Sequence, residues 1–84
     1  MEPNRRFVYI LKNATQPPRY YTGLTSDPTT RLKAHNQLNG HHTSGGGPWH
    51  FDVVVEFADK ARAVRFERYL KSGSGSAFAK RHLR

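Results

Sequence analysis

The chain contains no cysteine, which excludes a thiolate nucleophile, a thiolate-bound metal and any disulfide staple, and which suits a reducing compartment. Acidic residues are also scarce: 6 stand against 14 lysines and arginines, a formal net charge of +8. On so small a protein that imbalance favours a polyanionic partner, because each neutralised phosphate releases condensed counterions. Nucleic acid leads and an anionic membrane surface follows. Long apolar runs are missing as well, the longest being of the size of "VVVEF" at Val53 to Phe57, and "MEPNRRF" at the start has no region of signal-peptide length. The expectation is a soluble cytoplasmic protein with no membrane association. With 84 residues, it should form a single domain, 1–84, with a small core.

What is present reads as alternating short elements. Phe7 to Leu11 and Arg19 to Leu24 are rich in β-formers, and the turn residues "NATQPP" between them make a hairpin with a longer loop. Ser26 or Asp27 can cap a helix that has Pro28 at its first position and runs to about Asn36 or Leu38. "NGHHTSGGGPW" reads as a loop and "FDVVVEF" as a third strand. Asp59 caps a second helix from Lys60 to about Lys71, which "SGSGS" ends, and Ser74 or Ser76 then caps a short basic helix, "AFAKRHLR". The predicted architecture is α+β: a small three-stranded, mostly antiparallel sheet flanked by helices, in the order β-β-α-β-α-α.

Spacing brings several reactive residues together. Arg31 and His35 are four apart on one helix face, about 5–6 Å between Cβ atoms. Tyr9 and Tyr21 lie on paired strands, and their hydroxyls converge if the hairpin register points both to one side of the sheet. Glu67 has Ala63, Val64 and Leu70 as its helical neighbours and so sits within an apolar stripe. A carboxylate there needs either a cationic partner (Arg31, Arg65 or Lys71) or a bound cation.

"FVY" at Phe7 to Tyr9, "YTG" at Tyr21 to Gly23, Arg31 and His35 in "TTRLKAHN", and Glu67 in "RFERYLK" resemble the GIY-YIG nuclease superfamily, and are most similar to its small stand-alone bacterial members. The resemblance extends from Phe7 to Leu83. It implies the family's three-stranded fold and metal-dependent hydrolysis of DNA phosphodiesters. Glu67 would hold one Mg²⁺ or Mn²⁺, and Arg31 would stabilise charge on the attacked phosphate. Tyr9 and Tyr21 would position and deprotonate the attacking water, with His35 in the same cluster and Arg31 and the metal lowering the phenol pKa. Three strand substitutions depart from the family pattern: Phe7 for its first glycine, Val8 for isoleucine and Thr22 in the second tripeptide. Leu24 stands where some members carry lysine, and no late asparagine follows Glu67.

The histidines His35, His41, His42, His50 and His82 lack structural-zinc spacing. Gly45 to Gly47 lack the Lys-Ser/Thr of a phosphate-binding P-loop and read as a flexible loop approaching DNA. Trp49, beside a strand, is expected to pack rather than to stack on a base. Lys33, Lys80, Arg81 and Arg84 are the candidate DNA-backbone contacts. DNA binding should be structure-dependent or only weakly sequence-selective. A non-catalytic nucleic-acid-binding module is the alternative, but it would have no use for the tyrosine, arginine and glutamate set.

Overall fold

The computed structural model describes residues 4–37 and 48–84. Its elements are β1 (Arg6–Asn13), β2 (Tyr20–Thr25), α1 (Pro28–His35), β3 (Trp49–Phe57), α2 (Lys60–Leu70) and α3 (Gly73–His82). The strands form one antiparallel sheet in the order β2-β1-β3, the α+β arrangement expected from the sequence. The part of the loop reading that concerns His41, His42 and Gly45 to Gly47 lies outside the described residues.

The most apolar strand takes the middle of the sheet. Val8, Tyr9, Ile10 and Leu11 of β1 are all essentially inaccessible to solvent, because helices cover both faces. On one face Val8 and Ile10 pack with Tyr20, Leu24, Val53 and Phe57 against Ala63 and Leu70 of α2 and Ala79 of α3. On the other face Tyr9 and Leu11 pack with Trp49, Phe51 and Tyr21 against Leu32 of α1. Trp49 is therefore core, as its setting in the sequence implies.

A bulge in β3 divides that strand between the two cores. Ile10 pairs with Val53 while the next residue, Leu11, pairs with Phe51, so Asp52 is the extra residue. Alternation alone would place positions 49, 51, 53 and 57 on one face. The bulge instead turns Trp49 and Phe51 toward α1 and Val53 and Phe57 toward α2 and α3.

The helix caps follow the sequence except at the last helix. Asp27 accepts from the Thr30 backbone N–H at 3.3 Å and from its hydroxyl at 2.8 Å, with Pro28 opening α1. Asp59 accepts from Ala61 N–H at 3.1 Å at the start of α2. For α3 the expected caps, Ser74 or Ser76, are superseded: Ser72 is the cap and the "SGSGS" stretch is mostly the first turn of the helix. Ser72 Oγ donates to the Tyr69 carbonyl at 2.6 Å and accepts from Gly75 N–H at 3.1 Å. A Cβ on Gly75 would overlap the Tyr69 carbonyl. Glycine here allows α3 to begin directly against the end of α2, and that packing outweighs its poor helix propensity.

Two asparagines act as side-chain substitutes for backbone partners. Asn13 Oδ1 accepts from Thr15 N–H, Thr15 Oγ and Arg19 N–H, the last at 2.7 Å, and so shapes the β1–β2 connection. Asn36, the C-cap of α1, donates from Nδ2 to the Trp49 carbonyl at 3.0 Å and accepts from Trp49 N–H at 2.6 Å. That pair of bonds fastens the end of α1 to the beginning of β3.

Candidate active site

The hairpin register settles how the tyrosines face. Tyr9 pairs with Gly23 and Leu11 pairs with Tyr21. Paired residues share a face, as do residues two apart on one strand. Tyr9 and Tyr21 therefore both point toward α1, their ring centroids 6.4 Å apart.

Gly23 has a specific steric task. Its missing side chain is the space into which the Tyr9 phenol lies: a Cβ built there would fall within 3.0 Å of the ring edge and closer still to the hydroxyl end. The sequence marks Gly23 as a backbone position where a β-carbon could block close approach. Its neighbour in the fold is the cross-strand tyrosine.

His35 completes the arrangement from α1. It is 8% exposed, and its Nε2 lies 2.9 Å from the Tyr9 hydroxyl. Its ring centroid is 4.7 Å from that of Tyr21, and Phe51 meets the Tyr9 ring edge-on at 6.1 Å. Arg31, one helical turn before His35, is exposed and lies beside both phenols. Those contacts, Tyr9 first, hold its guanidinium proton more firmly than usual. The i, i+4 pair on α1 thus converges with both tyrosines.

Arg31 and the metal together are expected to lower the Tyr9 pKa, and Arg31 alone does not bring it below the ordinary value. Burial is the largest influence and raises the pKa above the ordinary 10.0; the hydrogen bond and charge of Arg31 lower it, while Tyr21 and Glu67 raise it. The guanidinium acts in the expected direction but desolvation prevails. The free protein holds Tyr9 as a neutral phenol.

Glu67 comes from α2, near enough that its charge disfavours a Tyr9 phenolate. Its side chain is only 15% exposed and accepts a 2.6 Å ion pair from Lys71 Nζ, one of the three cationic partners anticipated for it. No group of three or more histidine, aspartate or glutamate side chains gathers among the described residues. A single carboxylate suits a hard ion such as Mg²⁺, which keeps several waters and takes further oxygens from a phosphate. The Lys71 ammonium already meets one oxygen of this carboxylate, so a divalent ion would have to share it or displace the lysine.

The four candidate DNA contacts do not form one patch with the cluster. Lys33 lies on α1, on one side of the sheet, whereas Lys80 and Arg81 lie on α3, on the other. Arg84 stands apart from these, its guanidinium 4.4 Å from the Tyr20 ring centroid. Reading the sequence missed the part played by Phe51 and Asn36. Phe51 was hidden by the bulge, and Asn36 has the common signature of a helix C-cap with nothing to name Trp49 as its partner.

The arrangement offers an exposed cation beside two phenols, an imidazole bonded to one of them, and a nearby carboxylate. The curated relatives agree with it. Structure-specific endonuclease subunit SLX1 of Candida dubliniensis is 36% identical over 83 residues, covering 90% of this chain and 28% of that protein. The protein of the same name from Malassezia globosa is 38% identical over 86 residues, 98% of this chain and 18% of its own length. A UPF0213 protein of Halalkalibacterium halodurans is 35% identical over 66 residues, 77% of this chain and 68% of that protein. The chain thus spans less than a third of the SLX1 proteins it matches. The profile of the GIY-YIG catalytic domain fits residues 5–81, and since that stretch contains the whole sheet and every member of the tyrosine cluster, the chain belongs to the GIY-YIG catalytic domain family.

Proposed function

We propose that this protein is an endonuclease that hydrolyses DNA phosphodiester bonds with water activated at the tyrosine pair and one divalent cation, Mg²⁺ or Mn²⁺, held by Glu67. The observation that carries the reading is the link from the Tyr9 hydroxyl to His35 Nε2 at 2.9 Å, with the Arg31 guanidinium near enough to favour the Tyr9 phenolate. A buried phenol is a poor base alone. With an imidazole as acceptor, Tyr9 can pass its own proton to His35 as it takes one from water, so no free phenolate has to exist beforehand. Tyr21, the more accessible of the two, positions the water.

Arg31 is placed to neutralise charge gathering on the attacked phosphate, and being always protonated it serves across the pH range. The cation, when bound, would add Lewis-acid neutralisation of the diester. Lys33, Lys80, Arg81 and Arg84 would contact the backbone with little reading of base sequence. The SLX1 relatives carry the printed name of structure-specific endonuclease subunits, which favours branched or flapped DNA over plain duplex as the first substrates to try. The test is incubation with branched, nicked and single-stranded DNA in Mg²⁺ or Mn²⁺. Discrete cuts in wild type that disappear in Arg31→Ala are expected, and intact DNA under every condition would overturn the reading.

A further inference from the structure

The β2 edge of the sheet carries a second feature, on the side away from α1. A groove of about 280 Å³ runs between β2 and the α2–α3 pair, with an apolar floor and a rim formed by Tyr20, Tyr21, Thr22, Lys71, Ser76 and Arg84. Among the described residues no aspartate or glutamate lines it, and Glu67 pairs with Lys71 at its rim. Its two cations are held in place. Arg84 stacks on the Tyr20 ring at 4.4 Å, and its backbone N–H bonds the Ala79 carbonyl at 3.0 Å. Lys71 is anchored by its bond to Glu67 at 2.6 Å, which leaves two of its three N–H donors for another acceptor. Tyr20 also lies beneath Lys12, whose Nζ is 5.9 Å from the ring centroid.

This chemistry suits one phosphate: the Arg84 guanidinium, the two donors that Lys71 keeps beyond its bond to Glu67, and the hydroxyls of Thr22 and Ser76. Tyr21 belongs both to this groove and to the tyrosine cluster across the strand. A phosphate here would share Tyr21 with one bound at the tyrosine cluster. We infer that the groove binds a backbone phosphate flanking the cleaved bond, so that the DNA strand passes around the β2 edge from the tyrosine cluster to Arg84 and Lys71. The inference rests on the proposed nuclease activity for the word "cleaved" but not for the binding of phosphate. It assigns Lys71 and Arg84 a common ligand, and because a phosphate contact carries no base information, it makes the grip indifferent to sequence.

The experiment measures DNA binding in EDTA across a salt series for wild type, Arg84→Gln, Arg84→Lys and, as a control away from the groove, Arg62→Gln. Losing one phosphate contact should reduce the slope of log K against log salt by about 0.9, an approximately eightfold weakening at 0.1 M salt. Arg84→Gln should show this, Arg84→Lys should keep the wild-type slope, and Arg62→Gln should do likewise. A strand carrying one neutral methylphosphonate, moved position by position, should reveal a site where neutralisation weakens wild type but leaves Arg84→Gln unchanged. Equal slopes for Arg84→Gln and Arg62→Gln, or no such position, would overturn the groove. If no substrate is cut while the Arg84 effect stands, the nuclease reading fails and the phosphate site survives.

Discussion

Replacing Gly23 with alanine should damage both the fold and the chemistry, through one atom. The added Cβ would meet the Tyr9 hydroxyl, Cζ and Cε1 at no more than 3.0 Å, whereas non-bonded carbons rest about 3.5–4.0 Å apart. Tyr9 must then retreat by about 1 Å, but it is 1% exposed and confined by His35 and Phe51. Overpacking of this kind costs about 1–3 kcal/mol. A shift of about 1 Å also takes the 2.9 Å Tyr9–His35 contact beyond hydrogen-bonding distance, which adds about 1–2 kcal/mol for a buried donor and acceptor left apart. Alanine's lower backbone entropy in the unfolded chain returns about 0.5–1 kcal/mol. The net loss is about 1–4.5 kcal/mol, a large part of the roughly 4–12 kcal/mol expected for a domain of this size. Urea unfolding followed by circular dichroism measures it, alone and in a Tyr9→Leu background, where the ring that the Cβ meets is gone. The reasoning is refuted if Gly23→Ala matches wild type in stability, or if it costs as much in the Tyr9→Leu background as it does with the tyrosine in place.

Three other predictions follow from the same cluster. Tyr9→Phe should not be neutral: with its hydroxyl buried on His35 it should lose about 1–2 kcal/mol and lower cleavage by about 10²–10⁴, read from single-turnover assays on protein shown folded by its spectrum. Glu67→Gln should change stability by less than about 1 kcal/mol, since its partner Lys71 is half exposed and such pairs contribute little, yet it should abolish cleavage and any thermal upshift by Mg²⁺ or Mn²⁺; an undiminished upshift would remove Glu67 as the ligand. In alkali, the unfolded chain surrenders the Tyr9 proton before the folded one, whose pKa burial raises. The stability this provides is intact below about pH 10 and lost as pH rises through the folded value, so urea midpoints measured from about pH 9 to 11 should fall more steeply for wild type than for Tyr9→Phe.

Much of this was legible in the sequence because it rests on local chemistry. Proline at the first helical turn, aspartate caps and the period-2 strands each fix an element from within a few residues, and the i, i+4 spacing places Arg31 beside His35 without reference to the rest of the fold. The features that escaped depend on partners distant in the chain. Asp52 gives no sign that it is a bulge, because the strand alternates apolar and polar residues straight through it. "SGSGS" looks like a helix terminator until the Tyr69 carbonyl is brought against Gly75. Tyr9's proton affinity turns on its burial beneath α1, whereas spacing reveals only its cationic neighbour. His35 could be placed near the tyrosines, but its hydrogen bond to Tyr9 needed the hairpin register.

The Asn36 amide has an implication for how this protein can change. By bonding both backbone groups of Trp49, it clasps the end of α1 to the start of β3, so the positions of these two elements are set at Asn36 and Trp49 themselves. Loop closure grows only slowly with length, by about 0.6 kcal/mol per doubling. Longer or differently charged segments could be installed between Asn36 and Trp49 while Arg31, His35 and Phe51 keep their places, which makes this the natural point at which to graft a new DNA preference onto an unchanged catalytic cluster.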